Sequence, residues 1–180
     1  EGESFGDPKV RARIMPYYQA TATSATNLID AKAFVKFLDA QKSVDVTRKI
    51  GTTGYCMGGP IVLRTAAAVP DRIGAGATFH GGGLVTDQSD SPHLLIPEME
   101  AEFLIAIAEN DDKKGPGEKE ILRDNYEVSG LEAEIEVYEG TLHGWCPPDS
   151  PVYNKVQAER AWSRLLELFD RTLGSSVKYS

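Results

Sequence analysis

Lys49-Ile50-Gly51-Thr52-Thr53-Gly54-Tyr55-Cys56-Met57-Gly58-Gly59 is a short run of apolar and β-branched residues that breaks into glycines around one cysteine. It reads as a strand, a sharp turn and a helix start, which puts Cys56 at the hinge between two elements. Gly54, Cys56 and Gly58 fill the frame G-x-S-x-G with sulfur in place of the hydroxyl, and flanking glycines leave room for a tightly turned backbone. A thiol at a helix N-terminus sits at the positive end of the helix dipole, which favours its thiolate. Cys56 is therefore the candidate nucleophile. The alternative is a small buried cysteine packed between a strand and a helix.

Upstream of this hinge, residues 43–48 read as a connection and residues 27–41 as a helix. Ala31, Phe34, Val35 and Leu38 fall on one side of that helix, and Asp30, Lys32, Lys36 and Asp39 on the other. Residues 9–25 suit a short amphipathic helix interrupted by Pro16, with Tyr17 and Tyr18 adding aromatic surface. Residues 1–8 read as a loop or a cut end. Downstream, residues 59–69 form an apolar helix that tolerates Pro60 in its first turn, and residues 73–79 a buried strand closed by His80-Gly81-Gly82-Gly83. A surface loop is expected at 86–97. The continuous apolar run 102–108 is a strand buried on both faces, followed directly by Glu109-Asn110-Asp111-Asp112. Residues 119–128 read as a helix with Ile121, Leu122, Tyr126 and Val128 inward. Residues 133–138 alternate Ile135 and Val137 with Glu134 and Glu136, the pattern of a half-exposed strand near a sheet edge. Gly140, His143 and Gly144 then precede a proline-rich turn, and Trp162, Leu165, Leu166, Phe169 and Leu173 mark a last amphipathic helix over 157–173.

Strands alternating with helices predict an α/β fold, a mostly parallel sheet flanked by helices, in one domain over residues 1–180. Functional groups in such sheets collect at the carboxyl ends of the strands. Cys56, Asp111 and His143 each stand just past a different predicted strand and so converge on one crevice. A thiolate nucleophile needs a base, and the base needs a carboxylate to fix its tautomer, which assigns those roles to His143 and Asp111. Asp112 competes for the carboxylate role. The order nucleophile, acid, histidine is that of α/β-hydrolases. The backbone N–H of Met57, next after the nucleophile, is the expected oxyanion donor. His80–Gly83 copies a glycine-rich motif that supplies such donors in lipases, but there it precedes the nucleophile, so here it reads as a crevice wall. Tyr55, His80, Gly81 and Trp145 are the candidate pocket residues; for Trp145, as for the further apolar candidates Tyr17, Tyr18 and Phe79, plain core packing is the alternative.

Bulk properties limit the remaining classes. With 19 Lys and Arg against 27 Asp and Glu, the net charge of −8 argues against nucleic acid as a partner. Cys146, Cys56 and His80 have no zinc-site spacing, and no phosphate-binding glycine motif is present, so neither metal nor cofactor is expected. Two cysteines make no disulfide framework and the lack of C-x-x-C disfavours a redox protein, which points to a reducing, cytoplasmic setting. No apolar run has the length of a membrane span and no signal peptide is visible.

Gly54-Tyr55-Cys56-Met57-Gly58-Gly59, Glu109-Asn110-Asp111 and Leu142-His143-Gly144 together resemble the dienelactone hydrolase family of α/β-hydrolases, whose elbow reads G-Y-C-x-G-G. The resemblance runs over about residues 26–173. It implies hydrolysis of a small ester or lactone through a thioester acyl-enzyme, with Cys56 as nucleophile, Asp111 as orienting acid and His143 as base; a non-catalytic binding module of the same fold is the alternative. Two departures stand out. The family's first strands, second oxyanion donor and a glutamate that contacts the cysteine have no counterpart before Glu1, and no arginine follows His143 to hold a substrate carboxylate. The missing strands would leave the cysteine strand unpaired at one edge, so the resemblance implies a piece of a protein about a third longer.

Overall fold

The computed structural model describes residues 7–174, so most of the loop expected at 1–8 lies outside the described residues. Two helices, α1 (Pro8–Thr21) and α2 (Ser24–Asp39), lead into an alternating run. Strand β1 (Ile50–Tyr55) is followed by helix α3 (Gly58–Ala68) and strand β2 (Ile73–Phe79). Strand β3 (Glu102–Ala108), helices α4 (Glu109–Lys114) and α5 (Glu118–Ser129), strand β4 (Ala133–Tyr138) and helix α6 (Lys155–Leu173) complete it. The four strands make one sheet in the order β1-β2-β3-β4, parallel at every pairing. Tyr55 pairs with Phe79, Phe79 with Ala106, and Ala108 with Tyr138, so the carboxyl ends share one rim.

Each face of the sheet carries its own core. Val62, Leu63 and Ala66 of α3 pack with Phe103 and Ile105 of β3 and with Leu122 and Tyr126 of α5. On the other face Ala75, Ala77 and Phe79 of β2 and Leu104 and Ala106 of β3 meet Tyr138, Trp145 and Leu165 and Leu168 of α6. The split follows from strand pleating, because successive side chains leave opposite faces. Complete burial of a Leu or Phe contributes roughly 1.5–3 kcal/mol, so these two layers hold the rim rigid. Among the described residues β4 is, as expected, at an edge of the sheet, and β1 forms the other edge.

Several expectations fail in instructive ways. Helix α1 continues through Pro16 instead of stopping there. The carbonyl that a helical Pro16 cannot donate to is that of the exposed Ala12, where water substitutes cheaply. Residues Pro92–Glu98, expected as loop, form 3-10 turns that bury Pro92 and Ile96. In α2 the buried residues are Asn27, Ala31 and Val35, while Phe34 and Leu38, expected inward, are exposed. Packing of α2 on α3 uses the small-residue side of the stripe, and Asn27 enters it by accepting a 3.0 Å hydrogen bond from Arg64. Ile121 and Val128 of α5 and Trp162 of α6 are likewise exposed, because only the centre of each apolar stripe reaches the sheet. No helix of the described residues is long and apolar enough to cross a membrane.

Candidate active site

The rim begins where β1 turns into α3. Cys56 has φ +51, a left-handed conformation uncommon outside glycine, and its N–H donates to the carbonyl of Phe79 at 3.1 Å. The turn is so tight that a Cβ on Gly54 would lie 2.4 Å from the carbonyl oxygen of Gly58, and one on Gly59 2.8 Å from Cα of Gly81. That explains both glycines: the strand end, the helix start and the neighbouring loop touch through their backbones. Met57 is the N-cap of α3. The thiol of Cys56 is thereby held out from the rim and exposed.

Two strands away, three consecutive residues at the end of β3 grip the loop that follows β4. Glu109 accepts from the N–H of Gly140 and donates its own N–H to the Thr141 hydroxyl at 3.2 Å, while that hydroxyl donates to the Tyr138 carbonyl. Asn110 Oδ1 accepts the N–H of His143 at 2.8 Å. Asp111 Oδ2 lies 2.6 Å from Nδ1 of His143. Gly140 and Gly144, both at positive φ, let the loop double back so that the ring of His143 faces β1. Its Nε2 lies 3.0 Å from Sγ of Cys56. Asp112, the competitor by sequence, instead holds Lys119 Nζ at 2.8 Å through both oxygens.

The geometry thus forms a continuous line of Asp111, His143 and Cys56 drawn from the ends of β3, β4 and β1. A carboxylate on Nδ1 fixes the tautomer that leaves Nε2 to exchange a proton with the thiol. That arrangement suits nucleophilic attack by sulfur followed by protonation of a leaving group. Lys114 lies 3.4 Å from the other oxygen of Asp111 and is exposed, so it adds little.

The four candidate pocket residues separate. Tyr55, stacked on Phe79 with ring centroids 4.8 Å apart, lines an apolar cleft of about 520 Å³ with Cys146, Pro147, Tyr153 and Trp162. Trp145 does not line it; fully buried, it stacks on Tyr138 in the α6 core. His80 is buried as well, and Gly81 borders a separate small cavity beside Asp111 and Asp112. Both cysteines are free thiols. Burial pushes the Cys146 thiol up to about 12 and raises the phenol of Tyr55. Burial, and secondarily the charge of His143, pull His80 down to about 4. Sequence reading missed Glu109, Asn110 and Thr141 as loop anchors and Cys146, Tyr153 and Trp162 as cleft walls; the only signal for the first group was three polar residues directly after a buried strand.

Comparison with known proteins bears on the fold and the family. The family model described as "Dienelactone hydrolase family" matches residues 1–173. "Protein usf" of Aquifex pyrophilus is 27% identical over 143 residues, covering 79% of this chain and 59% of that protein. A provisionally named carboxymethylenebutenolidase of Aquifex aeolicus is 24% identical over 123 residues, covering 68% of this chain and 51% of that protein. The chain therefore spans between half and three fifths of the length of these two relatives. The crystal structure of a dienelactone hydrolase-like promiscuous phosphotriesterase from metagenomic libraries superposes with a TM-score of 0.69 at 20% identity, over 93% of this chain and 70% of that one. An acylaminoacyl peptidase of Pyrococcus horikoshii shares the fold at a TM-score of 0.64 and 18% identity, over 88% of this chain and 30% of the peptidase. From the four-stranded parallel sheet, the cysteine elbow and the match over nearly the whole sequence, the chain belongs to the dienelactone hydrolase family.

Proposed function

We propose that this chain carries the nucleophile, base and orienting acid of a hydrolase acting on a small ester or lactone, with Cys56, His143 and Asp111 in those roles. The observation that carries the reading is the unbroken line from Asp111 Oδ2 to His143 Nδ1 at 2.6 Å and from His143 Nε2 to Cys56 Sγ at 3.0 Å. His143 takes the thiol proton as the sulfur attacks the substrate carbonyl carbon. The carbonyl π pair moves onto oxygen, and the resulting oxyanion accepts the N–H of Met57 at the start of α3. On collapse the carbon–oxygen bond to the alcohol breaks, the alcohol oxygen takes the proton from His143, and a thioester remains on Cys56. Water then attacks the thioester with His143 as base, releasing the acid and restoring the thiol. In a lactone both products are ends of one molecule.

The cleft beside Tyr55 suits the uncharged portion of such a substrate. Among the described residues that line it, Glu159 alone carries a formal charge and none is an arginine or a lysine, so those residues offer nothing to pair with a substrate carboxylate. A p-nitrophenyl acetate assay on the wild type and Cys56→Ala tests the reading, with intact-mass detection of an acetyl adduct. Turnover and an adduct on Cys56, both lost in Cys56→Ala, are expected. No Cys56-dependent turnover and no adduct would instead leave a non-catalytic member of the fold.

A further inference from the structure

We propose that His80 is a positioning residue for His143, its ring acting as an edge-on stop that keeps the His143 imidazole on the line between Asp111 and Cys56. The inference rests on the cysteine-hydrolase reading and adds a member to that site from β2, the one strand that contributes none of the three reacting groups. The ring centroids of His80 and His143 are 5.2 Å apart with planes at 65°, an edge contact. Tyr55 on one flank and Trp145 on another, at 6.0 and 6.2 Å, hold the His80 ring in place. Asp111 and Cys56 hold the two nitrogens of the His143 ring, but the contact with Cys56 is given up when the sulfur attacks, and the one hydrogen bond that remains leaves the ring able to swing about it. A rigid wall against its side removes that freedom.

Residue type and backbone support the same role. His80 has φ +42 at the end of β2, beside Cys56 at φ +51 at the end of β1. Among side chains enriched in the left-handed region, Asn, Asp and His, only histidine has a ring. The turn is set from outside: the N–H of His80 donates to the Ala106 carbonyl at 2.8 Å, and Gly81 then packs on Gly59 of the elbow helix. His80 is 2% exposed, and neither ring nitrogen has a hydrogen-bond partner among the described residues. Its contacts with the site are therefore those of a ring face and edge, not of a donor or acceptor. Backbone strain and orphaned buried polar atoms are features that persist at functional sites.

Two substitutions separate positioning from plain structural support. His80→Asn suits the left-handed turn but deletes the ring; His80→Phe keeps a ring but strains the turn, since bulky residues at positive φ are outliers. If His80 merely supported the fold, activity would follow melting temperature and the Asn variant would be the better enzyme. Positioning reverses the order: the Phe variant melts lower yet acylates Cys56 within about threefold of wild type, while the Asn variant loses about tenfold to a hundredfold in acylation rate at unchanged KM. Iodoacetamide alkylation of Cys56 followed against pH reads the Cys56–His143 pairing without turnover. It should match wild type in the Phe variant and shift toward that of His143→Ala in the Asn variant. Should the Asn variant not fold, His80→Gly takes its place. Acylation and alkylation of the ringless variant within twofold of wild type would overturn the proposal, as would equal losses in both variants. A wild type that never acylates Cys56 would sink the hydrolase reading alone, because the alkylation profiles still decide the role of His80.

Discussion

Asp111 and Asp112 are adjacent in α4 but hold different partners: Asp111 Oδ2 lies 2.6 Å from His143 Nδ1, whereas both oxygens of Asp112 lie 2.8 Å from Lys119 Nζ. In the proposed reaction one carboxylate orients the base, while the other ties α4 to α5. Asp111→Asn should lower kcat on p-nitrophenyl acetate by about 10³-fold or more, since an amide in place of the carboxylate no longer holds the required tautomer. Asp112→Asn should leave kcat within about threefold and cost about 1 kcal/mol or less, the scale of a partly exposed ion pair. Equal losses in the two variants would refute the division of roles.

Asn110 holds the proposed base through its backbone. Its Oδ1 accepts the N–H of His143 at 2.8 Å, part of a grip in which Glu109 and Thr141 also take part. Asn110→Ala should lower kcat about tenfold with KM little changed, and lower stability to urea by about 1 kcal/mol, the net worth of one hydrogen bond. Asn110→Asp, which keeps the accepting oxygen, should recover most of the loss. No change in kcat for Asn110→Ala would show that the loop holds its shape without it.

The elbow is packed backbone to backbone, with a Cβ on Gly54 placed 2.4 Å from the Gly58 carbonyl oxygen and 2.7 Å from Cγ2 of Val62. Gly54→Ala should therefore destabilise the chain by about 1–3 kcal/mol, the usual range for overpacking, and should slow iodoacetamide labelling of Cys56 relative to Cys56 in the wild type. Urea denaturation gives the first quantity. An unaltered midpoint would mean that the turn relaxes at no cost.

Two titrating groups, the buried His80 and the half-buried Cys146, give opposite pH effects. His80 is pulled down from 6.5 to about 4, chiefly by burial. Between those values the unfolded chain binds a proton that the folded chain refuses, so this histidine's contribution is present above pH 6.5 and lost as pH falls toward about 4. The Cys146 thiol is pushed up from 9.0 to about 12 by burial, so its contribution is present below pH 9.0 and lost as pH rises toward about 12. Melting temperature should fall at both ends, and His80→Asn should flatten the acid limb alone. At neutral pH iodoacetamide should label the exposed Cys56 in preference to the half-buried Cys146, as peptide mapping would show; preferential labelling of Cys146 would contradict its protonated state.

Much of the fold was legible because its strands are short apolar runs bounded by glycines or charges. The spans of all four strands agree with the expected ones, and α3, α5 and α6 agree to within two residues at either end, whereas the short helix α4 directly after β3 was not expected. What periodicity could not say was how wide each buried stripe is. Phe34, Val128 and Trp162 sit on apolar stripes yet are exposed, because only tertiary contact decides which part of a stripe meets the sheet. Pro16 misled for a related reason: a proline is tolerated within a helix at a turn whose residues, Ala12 among them, are mostly exposed. The convergence of Cys56, Asp111 and His143 was readable from strand order alone. Asn110 and Thr141 were not, since a polar residue after a strand has the same composition whether it anchors a distant loop or faces solvent. Trp145 was misplaced because a large aromatic beside a histidine fits a pocket wall and a core plug equally well in one dimension.

The parallel register, which lines up the ends of all four strands, makes the site a test of assembly. Cys56 comes from the first strand of the sheet, His80 from the second, Asp111 from the third and His143 from beyond the fourth. In the proposed hydrolase no shorter stretch of these four strands holds a working subset: a molecule whose β4 has not yet docked has its thiol but lacks the base. On that reading the chemistry of Cys56 switches on only when β4 is seated. The pH profile of its alkylation, followed during refolding, reports the docking of β4 rather than collapse of the chain.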